Sequence, residues 1–123
     1  MRYILTIIAI LFAGIIHAQT DSIYTKVQIQ ASFPGGPEFR ARYFSKYGLQ
    51  VVAEPTPYTA VVTFLVTKDN NTQDITIVNG AAIEPDFKKE VEKALKNFPH
   101  YIPAIQDGHK VTTKVTLYLV EAL

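Results

Sequence analysis

The sequence predicts an α+β domain: a three-stranded antiparallel sheet packed against two helices, in the order α-β-β-α-β. Three observations predict it. "AVVTFLVTKDNNTQDITIVNG" sets two β-branched runs on either side of a polar turn. "EFRARYFSKYG" and "EPDFKKEVEKALKNFP" repeat apolar residues at spacings of three and four, as helices do. The last segment alternates well from Val111 to Leu119, as a half-buried strand does.

The stretch "ASFPGGPEFRARYF", Ala31 to Phe44, sets two glycines between two prolines. A phosphate loop needs further glycines, a lysine and a hydroxyl residue at fixed spacing after a strand, and "FPGGPEF" has none of them. Phe33 is therefore read as a core anchor, with Gly35 and Gly36 turning the chain into the helix between stiffening Pro34 and Pro37. Along that first helix Phe39, Tyr43 and Tyr47 recur every four residues, Phe44 lies alongside, and Gly48 suits the position past its end. In the hairpin, Ala60, Val62, Phe64 and Val66 share one face, and Ile75 and Ile77 point inward from the returning strand. Asparagines in "KDNNTQ" tolerate left-handed backbone angles. The second helix opens at Pro85 and stops before Pro99, with Phe87, Val91, Ala94, Leu95 and Phe98 as its stripe and a Glu92–Lys96 pair on its wet side. Asp107-Gly108 supplies the turn into the last strand. There Val111, Thr113, Val115, Leu117 and Leu119 take one face, and Thr112, Lys114, Thr116 and Tyr118 the other.

The front of the chain has a different character. One basic residue, Arg2, precedes an apolar run from Ile4 to Ile16, and the small residue Ala18 precedes polar Gln19 to Ser22. Spanning a bilayer takes roughly 20 apolar residues, more than this run offers. Residues 1–18 are read as a secretory signal peptide cut after Ala18, residues 19–32 as a short leader, and 33–123 as the domain. Retention of the front segment as an inner-membrane anchor is the alternative. Loss of Arg2 would balance the remaining Lys and Arg against the 11 Asp and Glu, and a neutral domain gives no reason to expect nucleic acid. With 0 cysteines the chain has no disulfide, no thiolate and no lipid-bearing cysteine. The bacterial periplasm is the compartment this composition fits.

Little points to catalysis. His100 and His109 survive signal cleavage, and neither has a carboxylate or second histidine at metal-ligand spacing. No serine sits in a nucleophile-elbow context. Glu84 and Asp86 stand at a helix start, where the helix dipole alone favours negative charge. No enzyme activity, metal or cofactor is expected. What remains is the sheet: a long, proline-free last strand exposing one edge can pair with an extended peptide. Thr112, Lys114, Thr116 and Tyr118 are the candidate partner-binding residues, and self-association into a homodimer through the same edge is the rival use.

From Phe33 to Leu123 the chain resembles the C-terminal domain of TonB, the energy transducer of Gram-negative outer-membrane transport. "FPGG" before "EFRARYF", the hairpin leading into "IEPDFKKEVEKALKNFP", and Tyr101–Ala104 in place of a Trp-x-Pro-Ala-like element carry the likeness, with Asp107–Val111 as the turn into the last strand. The resemblance implies a non-enzymatic periplasmic module that recognises a peptide segment of an envelope or outer-membrane receptor-type protein by strand addition. Two departures stand out. Pro57-Tyr58 reverses the family's Tyr-Pro pair. The leader, at roughly 3.4 Å per residue, reaches only about 50 Å, which implies a binding fold without the long linker of an energy transducer.

Overall fold

The computed structural model describes residues 22–122, so the signal-peptide reading of residues 1–18 lies outside the described residues. The fold is α+β. Helix α1 spans Pro37–Ser45 and α2 spans Pro85–Lys96; the strands are β1 (Ile23–Tyr24), β2 (Leu49–Val52), β3 (Ala60–Val66), β4 (Thr72–Ile77), β5 (Ala104–Gln106) and β6 (His109–Glu121). The antiparallel trio β6-β3-β4 is the expected sheet, and both helices are where their spacing put them. The sheet nevertheless has more strands than three. Three short strands, β1, β2 and β5, also pair with β6, and β1 does so in parallel, which makes the sheet mixed.

Alternation decides which face is covered. Ala60, Val62, Phe64 and Val66 of β3 stand beside Leu119, Leu117, Val115 and Thr113 of β6, and this face meets Phe44 of α1 and Phe87, Val91 and Ala94 of α2 in one core. Phe98, just past α2, has its ring 5.3–6.3 Å from those of Phe33, Tyr43, Phe44, Phe64 and Tyr101. Such tilted and edge-on contacts suit aromatic quadrupoles. Tyr43 bridges the two helices by donating its hydroxyl proton to the Ala94 carbonyl. Asn79 stitches the hairpin's open end: its Oδ1 accepts from Val61 N at 2.9 Å and its Nδ2 donates to Thr59 O at 2.8 Å.

Local chemistry explains the turns. Gly35 and Gly36 both have φ near +90°, at 89° and 88°, and a Cβ at Gly35 would come within 2.5 Å of Phe39 Cγ. Phe33 is buried beneath that turn. At the start of α2 the Glu84 carboxylate accepts from the amides of Asp86 and Phe87, satisfying donors that the helix itself leaves unpaired. Two helix details differ from expectation. Phe39 is 53% exposed, with Arg42 over its ring at 5.4 Å, so Phe44 rather than the Phe39 line anchors α1. The ion pair on α2 is Lys93 with Glu90 at 3.5 Å, in place of Glu92 with Lys96.

Candidate functional site: the flank of the last strand

Sequence reasoning makes β6 an edge strand; the structure places it inside the sheet. Leu119 has Ala60 as a partner on one side and Val51 on the other, and Thr113 likewise stands between Val66 and Tyr24. Strands β2 and β1 therefore lie on the flank opposite β3. Their extent is limited: β2 covers Tyr118 to Glu121, and β1 covers Thr112 and Thr113. The chain bends away at Thr25–Lys26 and again at Ala53–Glu54. Lys114, Val115, Thr116 and Leu117 consequently have no strand partner on this flank among the described residues. Alternate residues of a strand direct both N–H and C=O to the same side, so this window offers main-chain donors and acceptors to an incoming strand.

The four predicted partner-binding residues divide accordingly. Thr112 carries the partner position of Ile23, and Tyr118 that of Val52. Lys114 and Thr116 lie in the open window and are exposed. Beside the window is a concavity of about 390 Å³ lined by Arg40, Val51, Val52, Ala53, Thr116, Leu117 and Tyr118. Arg40 gives this recess a cation able to pair with a carboxylate. It also lies near Tyr101: burial pushes the Tyr101 phenol up from its ordinary range, and the Arg40 charge pulls it partly back. The sequence carried no signal for Arg40, because its role depends on α1 packing across the end of β2.

The sheet's other open flank, on β4, is blunted. Asp74 has φ of 56° at a shift of register between β3 and β4, so the strand bulges there. The Thr72 amide, at the start of β4, is already donated to His100 Nδ1 at 2.9 Å. Bulges and capped amides are common protections against unwanted strand pairing. His109 lies at the turn end of β6, and His100 at the head of β4. Another concavity, about 510 Å³, lies elsewhere, between Pro57–Tyr58, the turn at Ala82–Glu84, Phe87 and the end of β6. Its Glu84 carboxylate is occupied by helix amides.

A long strand shared between a hairpin and a set of short flanking strands, under two helices on one face, defines a small α+β module. Residues 59–119 match the family model described as Gram-negative bacterial TonB protein C-terminal. They belong to that family, and the chain is TonB C-terminal-like. The match takes in β3, β4, α2, β5 and most of β6, while α1, β2 and the Phe33–Gly36 turn lie outside it. Comparison with curated proteins and with solved structures gave no match. Domains of this family are periplasmic, non-enzymatic and transport-related, and they interact with outer-membrane receptors. No helix among the described residues is long and apolar enough to cross a membrane.

Proposed function

We propose that this domain recognises an extended peptide segment of an outer-membrane receptor-type protein by strand addition to the flank of β6 at Lys114–Leu117. One observation carries the reading: between the ends of β1 and β2 the longest strand of the sheet keeps an uncovered row of backbone groups beside a recess holding Arg40. Main-chain pairing supplies affinity in this mode and alternate side chains supply selectivity. Thr116 and Lys114 stand on the exposed face, where they would meet every second residue of the guest. The protein acts without enzymatic chemistry, after export and cleavage behind Ala18.

A photo-crosslinking residue introduced in place of Thr116, and separately in place of Gln73 on β4, tests this with a synthetic peptide carrying the TonB box of a receptor. Crosslinking from position 116 and not from 73 is expected. Capture only from 73 would move the site to the β4 flank and overturn the proposal.

A further inference from the structure

We infer that the segment Ile23–Tyr24 is a built-in strap that competes with the guest strand for β6; this rests on the strand-addition reading above. The segment lies on the very flank assigned to the guest, at Thr112 and Thr113, immediately next to the open window. Its pairing is parallel and only two residues long, and parallel pairing is slightly the weaker kind per residue. Ile23 is 51% exposed and Tyr24 40%, so little apolar burial holds them down.

The segment from Gln28 to Ser32 is fastened much better. Gln28 N donates to Gln106 Oε1 at 2.9 Å, and Asp107 N donates to Gln28 Oε1 at 2.7 Å. Ile29 and Ile105 exchange backbone bonds at 3.1 and 2.9 Å, and Ser32 and Ile102 do so at 3.0 and 2.8 Å. Between anchor and strap the chain bends at Thr25–Lys26. The strap thus hangs from a fixed point through a short hinge. It can leave β6 without disturbing the anchor or the core, since neither Ile23 nor Tyr24 belongs to the core. Leaving extends the open window from Lys114–Leu117 to Thr112–Leu117, a longer stretch for a guest to pair with. Tethering makes the strap a strong competitor despite its few contacts, because a short linker holds it at a high effective concentration.

The chain contains no cysteine, so an engineered pair has no rival partner. Ile23→Cys with Thr112→Cys, directly opposed in the ladder, can be locked by oxidation and freed by reduction in the full exported protein. The probe is the same synthetic TonB-box peptide, with Ile23→Pro/Tyr24→Pro as the released form. The expected result is that the oxidised protein binds at least about tenfold more weakly than the reduced one, and that the released form binds more tightly than the unaltered chain. Equal binding by oxidised and reduced protein overturns the strap and leaves the strand-addition reading intact, as does failure of the cysteines to crosslink. Absence of binding by every form, the released one included, overturns both.

Discussion

At Gly36 the backbone has φ 88° and ψ −169°, a combination open to glycine and closed to side chains. This residue sets the angle at which α1 leaves the Phe33 anchor, so the strain of a side chain there cannot be relaxed by repacking. Gly36→Ala is expected to cost about 1–3 kcal/mol, read as a lower melting temperature with the native spectrum retained. Gly35→Ala should fare no better, because the added Cβ meets the near end of the Phe39 ring. Tyr43 gives a different kind of prediction. Burial, and then its neighbour Tyr47, push its phenol far above the ordinary range. In the unfolded chain it ionises near pH 10, whereas in the fold it stays neutral, so its stabilising share is complete below pH 10 and is lost as the pH climbs above that. Denaturant titrations at pH 8 and at pH 10.5–11 should show a smaller alkaline loss for Tyr43→Phe than for the unaltered chain. Glycines between prolines were legible as a turn because few other needs explain them. Arg40 was not, since nothing in its neighbourhood along the chain announces the sheet end it reaches.

The elements divide by length. Strands β3, β4 and β6 run for 7, 6 and 13 residues, long enough for alternation to show. Strands β1, β2 and β5 have 2, 4 and 3, too short for a period to be distinguished from chance. Those short strands exist because β6 is there to pair with, a tertiary cause that local pattern does not record. That is why β6 read as an edge: its own sequence was clear, and its neighbours on the second flank were not. Helix α2 was legible from its stripe, and α1 less so, because its anchor Phe44 sits beside a more regular row of rings. Fully buried Phe44 touches the rings of Tyr43 and Phe98 at 5.3 and 5.8 Å. Phe44→Ala should cost about 3–5 kcal/mol, a large part of the stability of a domain this small. Chemical denaturation would show it as a sharply lowered midpoint, or as a chain already unfolded in buffer.

For the whole molecule, one core beneath a mixed sheet leaves the opposite sheet face and part of one flank of β6 uncovered, and the proposal places recognition on that flank. Domains of this family are periplasmic and interact with outer-membrane receptors there. Intact mass of the exported protein is expected to correspond to a chain beginning at Gln19; a species retaining residues 1–18 would instead favour an anchored transducer. Recognition itself is most directly measured by amide hydrogen exchange on the exported protein, with and without a receptor's TonB-box peptide. Saturating peptide should slow exchange at Lys114–Leu117 and leave β4 unchanged. Protection confined to Thr72–Ile77, or none along β6, would contradict recognition by this flank.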